Sequence, residues 1–161
     1  VDSTTFEEAP THLGVWLRQR SRWIKGYMQT WLVHMRDPLA LARRTGLLGF
    51  LSFQLFIGGA LVFALATPPL WLVFMAGLKF GGDGLTPGPL IPGAGLLVGN
   101  VLLALLAVLA PKRRGWETLA PYGLTVVVYW AMISAAGYRG LWQLFTRPFF
   151  WEKTEHGAVA E

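Results

Sequence analysis

Twenty-one consecutive residues, Gly46 to Ala66, carry no charge, and that run removes most of the ways a chain can fold in water. As a helix rising about 1.5 Å per residue, it is long enough to cross a hydrocarbon core roughly 30 Å thick. Arg43 and Arg44 mark its edge, since each would cost about 2.5–3.5 kcal/mol at mid-bilayer against the few tenths returned by each Leu or Phe. A second run, Gly93 to Ala110, is closed by Lys112, Arg113 and Arg114 and carries Gly95 and Gly99 at a spacing that offers a smooth face for close helix packing. Composition agrees, with 53% hydrophobic and 14% charged residues, where soluble domains carry about a quarter charged. The expected fold class is all-α, a membrane protein of interfacial amphipathic helices around a small transmembrane helix bundle.

Between and beyond the two runs the pattern is less regular. Pro68 and Pro69 punctuate the chain, Leu70 to Phe80 is too short to span alone, and Gly81 to Pro92 reads as a loop with Asp83 as a turn residue. In the last stretch, Trp116 to Phe150, Tyr122 to Tyr138 spans if tilted. Arg139, Gln143 and Arg147 face away from Leu141, Trp142, Leu144 and Phe145, however, which suits an interfacial helix. Gln54 and Asn100 are polar groups inside apolar segments, where such groups face a wet cavity or, more simply, bond to a neighbouring helix.

Ahead of the apolar half lies a basic helix, Leu13 to Arg36, with Thr11 as its expected N-cap and Pro38 as its stop. Val1 to Pro10 reads as an extended piece followed by a loop. Along the helix Leu13, Trp16, Leu17, Ile24, Tyr27, Met28, Trp31 and Met35 recur at helical spacing, with Arg18, Arg22, Lys25, Gln29 and Arg36 roughly opposite. This is the pattern of a helix lying in the membrane interface. Much of the net charge of +5 falls in this region, which suits anionic lipid or a phosphorylated substrate. The adjoining apolar spans argue against nucleic acid. No cysteine is present, so disulfides and thiolate chemistry are excluded. His12, His34 and His156 are too scattered to form a metal site, and Gly93, Gly95 and Gly99 follow no strand, so they read as packing glycines and not as a dinucleotide fingerprint.

Two short motifs carry chemistry. Gln19, Arg22 and Trp23 stand at i, i+3 and i+4 and share one third of the helix circumference. An amide, a guanidinium and an indole on one face can hold a phosphate and offer a flat surface to a sugar ring; the plainer role is membrane anchoring by Trp and Arg. At the other end runs Trp151-Glu152-Lys153-Thr154-Glu155-His156-Gly157, whose plainer reading is a solvated tail.

The Gln-x-x-Arg-Trp pattern before membrane segments resembles the signature of the processive family 2 glycosyltransferases, the group of cellulose, chitin and hyaluronan synthases. The Trp151 segment is similar to the Trp-x-Lys-Thr-x-His-Gly ending of bacterial members, where relatives carry a gating loop. The resemblance implies five parts: 1–10 the end of a missing α/β catalytic domain, 11–37 the interfacial acceptor-site helix, 45–115 transmembrane helices, 116–150 a transmembrane or interfacial helix, and 151–161 a cytoplasmic gating tail. It implies that Trp23 is a platform for the growing sugar end, and that Gln19 and Arg22 hold the acceptor or the donor diphosphate. By the same resemblance Trp151, Lys153, Thr154 and His156 close over the nucleotide. The general base, an Asp, and a Mg²⁺ or Mn²⁺ ion would belong to the upstream domain; Glu7 and Glu8 sit too near the helix to stand for its Thr-Glu-Asp element. This segment alone is expected to be inactive.

The implied partners are a nucleotide-sugar donor, a polysaccharide or lipid-linked acceptor and membrane lipids, in a bacterial inner membrane with the active site in the cytoplasm. If both motifs serve that site, the number of crossings between them is even. Two crossings, with Ile57 to Phe80 as one proline-kinked span, place Lys112, Arg113 and Arg114 inside, as the positive-inside tendency prefers. Two rivals are a non-catalytic membrane anchor or adaptor and a non-processive transferase acting on a lipid carrier.

Overall fold

The basic, tryptophan-rich stretch folds as one helix, α1 (Leu13–His34), in the computed structural model, which describes residues 10, 12–80 and 87–151, with backbone alone at 87–90 and 92. His12 occupies the N-cap and makes no side-chain capping bond. Thr11, expected there, and the extended piece expected before Pro10 lie outside the described residues. Met35 and Arg36 turn the chain, and Asp37 Oδ1 accepts the Ala40 amide at 2.8 Å. Pro38 then opens α2 (Pro38–Phe53), at a position where its missing N–H would have had no partner. Pro38 therefore starts a helix as well as ending one.

Gly46, at φ 73°, bends α2 just after Arg43 and Arg44. That backbone is strained for any residue with a Cβ, so the bend falls where charge gives way to apolar sequence. From Leu47 the helix runs through a π-helical turn (Gln54–Gly58) into α3 (Gly59–Phe80). Trp31 Nε1 donates to Gln54 Oε1 at 3.0 Å, and Gln54 Nε2 lies 3.1 Å from Met35 Sδ. The interhelical bonding expected of Gln54 is what the structure has.

α3 continues through Pro68 and Pro69, as the reading of Ile57 to Phe80 as one span expects, and not with the break the two prolines also suggested. Pro69 lacks the N–H that would bond the Leu65 carbonyl. Tyr138 Oη donates to that carbonyl instead, at 2.6 Å, so the group is satisfied from outside its own helix, as an apolar surrounding requires. Leu70 to Phe80 is thus the second half of one helix.

The loop expected over Gly81 to Pro92 is also shorter than the sequence suggests. α4 (Pro87–Arg113) begins inside it, since prolines in a first helical turn forfeit amides that have no intrahelical acceptor. Asp83 lies outside the described residues. Gly115, at φ 73°, turns the chain after α4. A 3₁₀ stretch (Glu117–Thr125) follows and leads into α5 (Val126–Thr146). Among the described residues every regular element is helical.

Three stretches are long and apolar enough to cross a membrane: Pro38–Phe80, Gly93–Arg113 and Glu117–Thr146. Leu48, Leu55, Phe56 and Leu72 stand 72–80% exposed, a surface suited to lipid and a liability in water. The packing expected of Gly95 and Gly99 is not found, because a Cβ on either would meet open space. Of the α4 glycines read as packing residues, Gly93 is the one that meets a neighbour, the Phe74 ring of α3, and close approach is also made by α5. A Cβ on Gly137 would come 3.2 Å from Ala64 Cβ, and one on Gly140 would come 2.9 Å from the Ser21 carbonyl oxygen and 3.4 Å from the Lys25 nitrogen. The small residues of α5 thereby admit α3 on one side and α1 on the other. Ile24, Met28, Leu61 and Ala136 form the core at this junction.

Candidate functional site

The site begins where α5 ends. Arg147 precedes Pro148 and is driven out of the helical region, so the helix stops at Thr146. The next residues fold into a turn in which the Phe150 amide donates to the Arg147 carbonyl at 3.1 Å. This strap lies along α1. Lys25 Nζ donates to the carbonyls of Arg147 at 2.6 Å and Phe150 at 3.0 Å, and Gln29 Nε2 donates to that of Pro148 at 3.0 Å.

Lys25 is a correction to the helical pattern. It was expected on the polar face, opposite the apolar row, yet it is 3% exposed. The absence of a side chain at Gly140 lets α5 approach its backbone, and the strap carbonyls replace the water its ammonium would otherwise bind. Burial lowers its pKa from the ordinary lysine value by desolvation.

The strap carries Trp151 to α1, where the Arg22 guanidinium stands 5.2 Å from the centre of the indole ring. Arg22, Trp23, Gly26, Tyr27, Thr30 and Trp151 line one open groove of about 490 Å³, a size in the range of small-molecule sites. Trp23 remains 43% exposed in it. Arg20 braces Trp23, its guanidinium 4.4 Å from the ring centre and 5.7 Å from that of Trp16. Trp16 meets Tyr129 of α5 edge to face at 5.5 Å, so the position of Trp23 is tied to the bundle through Arg20.

A planar cation, three aromatic rings and two hydroxyls around an open groove have a definite chemical competence. The guanidinium fork matches a phosphate or carboxylate, and the rings suit the apolar face of a sugar or the plane of a base. Among the described residues no three of His, Asp and Glu come together to hold a metal ion.

Of the residues singled out by sequence, Arg22, Trp23 and Trp151 come together. Gln19 lies one turn earlier on α1 and is not part of the groove lining. Lys153, Thr154 and His156 lie outside the described residues. Gly26, Tyr27 and Thr30 were not singled out as site residues, although they continue the Arg22 and Trp23 rows in steps of four and could have been found by extending the motif along its own face. A second cavity, of about 530 Å³, sits between α3, α4 and α5, and Thr67, Trp71, Asn100, Trp130 and Ser134 are among its lining. Asn100 thus faces a cavity.

No protein-family model, curated protein or solved structure matches this chain.

Proposed function

We propose that this chain is the membrane and acceptor-binding half of a processive family 2 glycosyltransferase of a bacterial inner membrane. In the complete enzyme a sugar passes from a nucleotide-sugar donor, such as a UDP-hexose, to a growing polysaccharide. The observation that carries this reading is the meeting of Arg22, Trp23 and Trp151 in one groove, although they stand at opposite ends of the apolar half. An interfacial anchor helix has no need of a distant tryptophan folded back against its arginine. In this reading Trp23 and Tyr27 stack on the acceptor sugar, and Arg22 meets the donor diphosphate. The tail beyond Trp151, with Lys153, Thr154 and His156, closes over the nucleotide and excludes water that would hydrolyse the donor. The general base and a Mg²⁺ or Mn²⁺ ion belong to the catalytic domain, which this chain does not supply.

Two full crossings accompany the proposal, α3 outward and α4 back. α1 touches the π-helical turn ahead of α3 through Trp31 and Gln54 and the end of α5 through Gly140. In this reading the excursion between those points begins and ends at one face, with an even number of crossings. The test of function is Trp23→Ala in the complete protein, with incorporation of labelled sugar and membrane insertion measured together. Incorporation should fall by at least about two orders of magnitude, the cost of losing an essential positioning contact, while insertion is retained. Incorporation at the wild-type rate would sink the assignment.

A further inference from the structure

The buried lysine and its neighbour Gln29 are not accounted for by anchoring, and they are not groove residues. Lys25 and Gln29 stand four apart on α1, beside the row of Arg22, Gly26 and Thr30 that lines the groove. Their three hydrogen bonds all end on main-chain carbonyls of the strap, at Arg147, Pro148 and Phe150. Trp151, the next residue, contributes to the groove lining. We propose that Lys25 and Gln29 form a clasp that pins the Arg147–Trp151 strap as the movable wall of the groove, so that ligand affinity is set by whether the clasp is closed. The link to affinity rests on the glycosyltransferase reading, whereas the clasp itself does not.

The physical logic follows from the kind of bond. An ammonium donating to the carbonyls of Arg147, the C-cap of α5, and of Phe150 beyond it ties both ends of the turn to α1 and places a positive charge near the negative pole of the α5 dipole. Hydrogen bonds to charged groups are the stronger kind. Gln29 adds a neutral bond nearer the rim. A strap held at three points keeps Trp151 against Arg22; a released strap leaves Arg22 and Trp23 facing an open surface. Lys25 and Gln29 are then positioning residues, acting on the ligand through Trp151.

The test uses the full-length protein and two variants. Lys25→Met keeps the apolar stem and removes the donor. Gln29→Glu changes one atom at a half-buried site and replaces the donor by a group that repels the Pro148 carbonyl, so it serves if the first variant folds poorly. Chymotrypsin needs several residues of freed chain to cleave at Phe149, Phe150 or Trp151, and a pinned strap resists it. Cleavage in this segment should rise about tenfold in Lys25→Met and severalfold in Gln29→Glu, with the bulk of the chain remaining resistant. Wild-type cleavage rates in both folded variants would overturn the clasp, whatever the activity. With UDP-hexose as donor, KM should rise severalfold while kcat stays within about twofold, the signature of lost binding. Faster cleavage with unchanged KM would overturn the role of the strap at the groove. Absence of incorporation by the wild-type protein would overturn the transferase reading and leave the cleavage result to decide the clasp.

Discussion

Gly140 and Gly95 are both helical glycines with opposite surroundings. A Cβ on Gly140 would press on the Ser21 carbonyl and the Lys25 backbone, while one on Gly95 would meet nothing. Gly140→Ala should therefore destabilise the protein by about 1–3 kcal/mol through overpacking against backbone atoms. Gly95→Ala should be neutral or stabilising by up to about 1 kcal/mol, because it only removes the entropy cost of a helical glycine. Thermal unfolding in detergent would measure both, and equal effects at the two positions would contradict the packing described. The contrast also shows what the residues could reveal by themselves. A small residue marks a place where close approach is allowed; which helix makes that approach is decided by the folded chain, so the Gly95-x-x-x-Gly99 spacing pointed to the wrong face. Lys25 was misread for the same reason, since its carbonyl partners lie more than a hundred residues away along the chain.

At the scale of elements, the periodicity of α1 and the apolar runs were legible because both depend on local sequence alone. The continuity of α3 was only one of two readings. Two adjacent prolines argue for a break, and the helix survives them with the aid of a hydroxyl from α5. Tyr138→Phe should leave the Leu65 carbonyl unsatisfied and lower stability by about 1 kcal/mol, within the range measured for interhelical bonds in membranes. Pro69→Ala restores an N–H to that carbonyl, so in its background Tyr138→Phe should cost much less. A double-mutant cycle would give the coupling between them, and strict additivity would show that Tyr138 does not stand in for the missing amide. Gln54→Leu makes a parallel case at the π-helical turn. It leaves the Trp31 indole without its acceptor, and a fall in stability of about 1 kcal/mol is expected, measurable by the same unfolding assay. The groove was half legible at this scale. Arg22, Trp23 and Trp151 announced themselves by motif, whereas Gly26, Tyr27 and Thr30 are ordinary residues made significant by the helix face they share.

For the whole molecule the open quantity is topology. The chain has no cysteine, so a cysteine introduced into it is its only thiol label. With Phe149→Cys and Glu117→Cys, an impermeant maleimide should react from one and the same side of the membrane, and with Phe80→Cys from the other. Glu117→Cys reacting on the Phe80 side would mean that α5 and not α4 makes the return crossing, and Phe80→Cys reacting with the other two would show that α3 does not cross at all. The strap carries one further implication at this scale. Its grip is exerted on peptide groups, which every amino acid brings, so beyond Pro148, which ends α5, the side chains before Trp151 are free to vary while their spacing is not. Replacing Phe149, 98% exposed, should change little. Deleting it would shift the register by one residue, withdraw the Phe150 carbonyl from Lys25 and move the terminal indole off its arginine, a lesion that no choice of replacement residue would repair.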